Sequence, residues 1–133
     1  LRTCAAPSYL AKRRTPVLIT DLSDHACLIG TSPKWHFSVG GKDILFQPKG
    51  QWCCNNGVAI LEAAIDGMGV CQLPDFYVAH ALRLGTLVPL LDTYQAKDEP
   101  IWAVYPERRH LLPKVRWLVA ALRSDLPRAL SGV

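Results

Sequence analysis

The run Gln51-Trp52-Cys53-Cys54-Asn55-Asn56-Gly57-Val58-Ala59-Ile60-Leu61-Glu62-Ala63-Ala64-Ile65-Asp66-Gly67-Met68-Gly69-Val70-Cys71-Gln72-Leu73-Pro74 decides the fold. Gln51 to Cys54 reads as a short strand, and Asn55-Asn56-Gly57 as the turn that opens a helix. Val58 to Ile65 is rich in Ala and Leu, carries Glu62 as its sole charge, and is expected to be a helix buried on more than one side. Gly67 and Gly69 stop it, and Val70 to Leu73, closed by Pro74, fits an interior strand. Strand, helix and strand in that order is the repeating unit of an α/β domain.

Outward from this unit the pattern continues. Arg2 to Ala5 is a strand, Pro7 opens a helix to about Arg13, Thr20 caps a short helical turn, and Ala26 to Ile29 is a buried strand. Trp35, Phe37 and Val39 alternate with polar residues, then Gly40-Gly41 joins them to Ile44-Leu45-Phe46 as a hairpin. Asp75 to about Arg83 is a second helix stopped by Gly85, and Leu87 to Leu91, holding Pro89, an edge strand. Ile101 to Tyr105 reads as a strand. Leu111, Val115, Leu118, Val119 and Leu122 repeat at helical spacing, with a frayed tail expected after Asp125.

At 133 residues, half of them apolar, the chain fits one core. No apolar run reaches the ~20 residues of a membrane span, and Leu1 to Ser8 is unlike a signal peptide, so the expected compartment is cytoplasmic. With no methionine before Met68, the chain is expected to be less than a whole translation product. Five cysteines without a C-x-x-C pair read as buried thiols, and no metal site or cofactor is expected. Between Ser38 and Ala96 three bases (Lys42, Lys49, Arg83) face five acids (Asp43, Glu62, Asp66, Asp75, Asp92), whereas after Ile101 six bases face two acids. That basic end suits either anion contact or plain solvation.

Two places suggest a binding site. Asn55-Asn56-Gly57 feeds a helix start, where backbone N–H groups and the dipole favour a carboxylate, although an asparagine there serves equally as a simple cap. Gly30-Thr31-Ser32-Pro33 puts hydroxyls after a strand, where open α/β sheets bind ligands, although a turn uses the same residues. Catalysis lacks support: G-x-S-x-G, a phosphate loop and H-E-x-x-H are all missing, and no catalytic residue is assigned. No segment has the form of a helix-turn-helix.

Taken in order, these segments resemble the C-terminal portion of LysR-type transcriptional regulators. The stretches that carry the resemblance are Cys4 to Leu10, Thr15-Pro16 with Asp21-Leu22 and His25 to Leu28, Trp35-His36-Phe37, and Asn55-Asn56-Gly57. Ala63 to Val70, Leu73 to Phe76, Gly85 to Leu91, Ala103 to Pro106 and Leu112 to Arg116 continue it. The resemblance implies a type 2 periplasmic-binding-protein-like α/β fold with a mixed sheet. Residues 1–96 would be lobe two, 97–100 a crossover, 101–126 the returning strand and helix of lobe one, and 127–133 a tail. Ala6 stands where the family often has serine, which removes a helix cap.

On that resemblance the chain is the ligand-sensing and oligomerisation portion of a bacterial regulator and not an enzyme. A small anionic or aromatic metabolite would sit between the lobes, oriented by Thr31, Ser32, Asn55 and Asn56 and walled by Trp35 and Pro74. The protein would be a homo-oligomer that meets DNA only through an N-terminal domain absent from this stretch, with no membrane partner. The rivals are a periplasmic-type solute-binding fragment, a thiol enzyme and a bare oligomerisation module.

Overall fold

In the computed structural model residues 1–50, 52–97, 102–104 and 112–130 are described, and the chain divides into two compact units, Leu1–Asp98 and Glu99–Val133.

The first unit is built on a mixed five-stranded sheet in the order β5-β2-β6-β1-β7, formed by β1 (Arg2–Ala5), β2 (Cys27–Ile29), β5 (Trp52–Cys53), β6 (Val70–Leu73) and β7 (Val88–Leu90). β2 runs parallel to β5 and β6, while β1 runs antiparallel to β6 and β7. Pro89 lies in β7, at the sheet edge, where a strand can spare an N–H donor.

Adjacent strand residues serve opposite faces, as a side-chain period of two requires. Cys4, Leu28 and Cys71 enter one core, beneath α2 (Gly57–Ile65) and α3 (Asp75–Leu84), with Ile60, Ala64 and Val78. Ala5, Cys27 and Val70 enter the other, which Tyr9, Leu22, Trp35 and Phe37 fill from α1 (Pro7–Leu10), a 3-10 turn (Ile19–Asp24) and the hairpin strand β3 (Trp35–Val39). β3 pairs in register with β4 (Lys42–Phe46), and Gly40 and Gly41, at φ 57° and 82°, make the turn between them.

Several local expectations change. Helix α1 ends at Leu10, and Ala6 stands at its cap position, 2% exposed within the core, so a polar cap there would be buried. The 3-10 turn is held by Asp21 in place of Thr20: the carboxylate accepts from Val17 N–H and Leu18 N–H, both at 2.9 Å. The Leu18 and Val17 bonds, in that order, hold the Asp21 carboxyl below its usual range. Helix α2 buries Ile60, Ala63 and Ala64 but leaves Val58 54% exposed, so it is one-sided at its first turn.

In the second unit, helix α4 (Pro113–Leu130) continues through Pro127 to Leu130, beyond the expected start of a frayed tail. Proline removes one i→i−4 hydrogen bond, yet the turns on either side persist. Residues 131–133 of the expected tail lie outside the described residues. Of the strand expected from Ile101 to Tyr105, the described residues Trp102 to Val104 carry no strand pairing, and Trp102 and Val104 are 79% and 93% exposed. A strand exists only by pairing, and an apolar sequence without a partner strand does not make one.

Candidate functional site

Parallel pairing decides where the loops emerge. Leu28 and Ile29 pair with Trp52 and Cys53, Cys27 and Leu28 pair with Val70 and Cys71, and Cys54 N–H donates to the Ile29 carbonyl at 2.9 Å. The segments that follow β2, β5 and β6, namely Gly30 to Pro33, Cys54 to Gly57 and Pro74, therefore leave the sheet at one common end.

Close packing links these loops. A Cβ at Gly30 would lie 3.4 Å from Ile60 Cδ1, and one at Gly57 would come within 2.7 Å of the Tyr77 ring, so glycine alone allows α2 to seat against α3 there. Tyr77, which the sequence reading missed, is the aromatic side chain beside the start of α2. Its signal was available: it stands three residues after Pro74, on the first turn of the next helix, above the strand ends.

Asn56 has an extended backbone, and its Oδ1 accepts from Val58 N–H at 2.9 Å and Ala59 N–H at 3.3 Å. Ile60 N–H goes to the Asn56 carbonyl, so Gly57 N–H is the donor of the first turn left over among the described residues. The asparagine amide nitrogen, with two further donors, is not consumed by the cap. Thr31 and Asn55 are exposed, and among the described residues neither side chain is engaged in a hydrogen bond. Ser32 Oγ donates to the Lys34 carbonyl at 3.0 Å, which commits the hydroxyl to its own turn. Pro74 is half-buried and immediately precedes α3.

Trp35 does not join this group. It is 3% exposed in the core beside Phe37 and Leu22 and has almost no surface to offer a ligand, which corrects its expected place as a wall. The period-two alternation that marked it as a strand residue also turned it inward.

A hollow lies elsewhere. It encloses about 560 Å³ between Arg13, Arg14, Pro16, Val17, Asp24 and His25, at the opposite end of β2. Of its lining residues, His25 is bonded to a neighbour: its Nδ1 lies 3.1 Å from Tyr9 Oη, which accepts from Ala26 N–H at 3.0 Å. Burial, and after it the Arg13 charge, hold His25 below 6.5, against the opposing pull of Asp24 and Asp21 and a hydrogen bond to the Arg14 backbone.

Cys53 is exposed and Cys54 half-buried, against the expectation of buried thiols, while Cys4, Cys27 and Cys71 are buried and offer little nucleophilic chemistry. Cys4 and Cys71 sulfurs sit 3.5 Å apart with both residues fully buried, and their hydrogen bond, followed by burial, holds Cys71 well above the ordinary thiol range. Burial pushes the Cys27 thiol up to about 11. A reactive cysteine needs the reverse shift.

Residues 1–127 match the model of the LysR substrate binding domain. Among curated proteins the chain is 31% identical over 111 residues to the HTH-type transcriptional regulator PgrR of Escherichia coli, covering 79% of this chain and 37% of that one. It is 31% identical to PtxR of Pseudomonas aeruginosa, over 93% of this chain and 41% of that one. The HTH-type transcriptional activator TtdR of Escherichia coli matches at 33% identity, with 90% and 40% covered. The chain thus spans about two fifths of the length of these relatives. Among solved structures, the regulatory domain of AphB in Vibrio vulnificus superposes with a TM-score of 0.77 at 26% identity, over 92% of this chain and 62% of that one. The regulatory domain of CrgA, a LysR-type transcriptional regulator from Neisseria meningitidis, does so at 0.77 and 26%, over 94% and 64%. The mixed sheet, the shared loop end and the match over residues 1–127 agree on one conclusion: the chain belongs to the LysR substrate-binding domain family, with its type 2 periplasmic-binding-protein-like fold.

Proposed function

We propose that this chain is the effector-sensing portion of a cytoplasmic LysR-type transcriptional regulator, that it has no enzymatic activity, and that Thr31, Ser32, Asn55, Asn56 and Pro74 line its ligand face. The observation that carries the reading is the common exit of three loops at the C-terminal ends of the parallel strands β2, β5 and β6, where open α/β sheets bind ligands. The exposed Thr31 hydroxyl, the Asn55 amide and the unspent Asn56 amide nitrogen suit a small anionic metabolite, and the Tyr77 ring suits one with an aromatic part.

Residues 1–96 act as lobe two in this reading, with 97–100 as crossover, 101–126 belonging to lobe one and 127–133 as a tail. A ligand bound at this face favours one state of the regulator through its differential affinity, and that bias reaches DNA through an N-terminal domain of the homo-oligomeric regulator. The exposed Val58 of α2 suits a subunit contact. The buried, raised Cys27 and Cys71 thiols are unsuited to nucleophilic attack.

The test uses the full-length regulator and a metabolite panel, scored by melting temperature and by DNA binding. Asn56→Asp keeps the cap oxygen and removes the amide donors. It is expected to abolish the shift given by an active anionic metabolite while the ligand-free melting temperature stays within about 2 °C, as surface substitutions usually allow. An undiminished shift in that variant removes Asn56 from the ligand face.

A further inference from the structure

Arg2 is the first residue of β1 and lies opposite Leu73, the last residue of β6, at the end of the sheet where the candidate ligand face lies. Its Nε donates to Asp75 Oδ1 at 2.9 Å, and its NH1 donates to Gln95 Oε1 at 2.8 Å, with Asp92 Oδ1 at 3.8 Å. Asp75 opens α3 directly after Pro74. Asp92 and Gln95 belong to the segment through which the chain leaves the first unit at Asp98.

Leu91 is buried in the second core and Tyr94 packs against it, which fixes the start of that segment. Leu91, at φ 58°, takes a left-handed conformation that leucine rarely adopts and turns the chain into Asp92–Tyr94. Gln95 forms an isolated bridge to Phe37, and its side chain meets Arg2. The Arg2 side chain is 33% exposed, against 61% and 56% for its two carboxylate partners, so the guanidinium is the better-anchored member.

A guanidinium is one rigid plane. Asp75 accepts from Nε and Gln95 from NH1, so a single guanidinium plane joins the first turn of α3 to the exit segment. We propose that Arg2 is a positioning residue that couples the start of α3, beside the ligand face, to the exit segment Asp92 to Gln95. As a route for the ligand signal this rests on the reading of the site given above; as a mechanical link between α3 and the exit segment it needs no ligand.

The test is amide hydrogen exchange on the full-length protein without any ligand. Asp75→Asn is expected to speed exchange at the Tyr94 and Gln95 amides, which bond to Leu91 and Asp92 carbonyls, by about threefold, within the range set by partly exposed charge pairs. Gln95→Ala is expected to speed exchange at the Tyr77 amide, bonded to the Pro74 carbonyl, by a matching factor, because coupling between two sites is reciprocal. Arg2→Lys keeps the charge but not the fork, and both remote effects should appear in it together. If Asp75→Asn changes protection only within α3 and Gln95→Ala only around residues 92–97, Arg2 is an ordinary surface ion pair and the proposal fails. Because no metabolite is present, that failure would leave the Asn56 test untouched, and loss of the Asn56 effect would leave this coupling standing.

Discussion

The two ends of β2 use their polar groups in opposite ways. At the N-terminal end, the buried Tyr9 Oη and His25 Nδ1 and the Ala26 N–H form a chain of bonds, and Asp21 is spent on Val17 and Leu18. At the C-terminal end, Thr31 and Asn55 stand exposed and Asn56 uses only its oxygen. A hollow of about 560 Å³ marks the first end, and two of its lining polar groups, His25 and Asp21, already have partners within the fold. The second end presents unspent hydrogen-bonding capacity, and capacity is what a ligand needs. The comparison teaches that size alone is a poor guide to a binding face.

If that contrast is right, the first end should govern stability and the second should govern response. Tyr9→Phe removes the acceptor of Ala26 N–H and the partner of His25, and should cost about 1–3 kcal/mol in urea unfolding, the usual penalty of a buried group left unpaired. Asn56→Ala, which deletes a helix cap, should cost about 1 kcal/mol, and Asn56→Asp almost nothing.

A pH series sharpens the same contrast. His25 is held below its unfolded value of 6.5, so the unfolded chain binds the proton more readily than the native one. The stability it contributes is fully present above pH 6.5 and is lost as pH falls from there through the folded pKa. His25→Asn should flatten that part of the profile, measured by melting temperature between pH 7.5 and the acid limit, and an unaltered slope would show that another group is titrating. The smallest change is expected for Thr31→Val at the exposed end: a stability difference below about 0.5 kcal/mol, together with a weaker response to an anionic metabolite.

How far the sequence reached follows from which signals are local. The strand at Arg2–Ala5 and the strand at Val70–Leu73 appear with the bounds expected, because apolar runs closed by proline or glycine carry their own punctuation. The hairpin at Gly40-Gly41 was legible for the same reason. Asn56 could be read as a cap and its loop placed after a strand, but that Pro74 leaves the sheet at the same end depends on the parallel pairing of β2 with β6, which no local pattern encodes. Trp35 was misplaced because an aromatic in an alternating strand looks alike whether it faces a core or a cleft. Tyr77 was missed because its proximity to α2 arises from Gly57, twenty residues earlier. The apolar stretch Trp102 to Val104 read as a strand because composition reports the wish to pair and not the presence of a partner.

The most direct test of the ligand face is a backbone amide NMR titration of the full-length regulator with whichever panel metabolite raises its melting temperature. The account expects the largest shifts at Gly30 to Ser32, Asn55 to Gly57 and Asp75. Shifts concentrated at Arg13 to Leu18 and His25 instead would place the ligand in the hollow at the other end of β2 and contradict it.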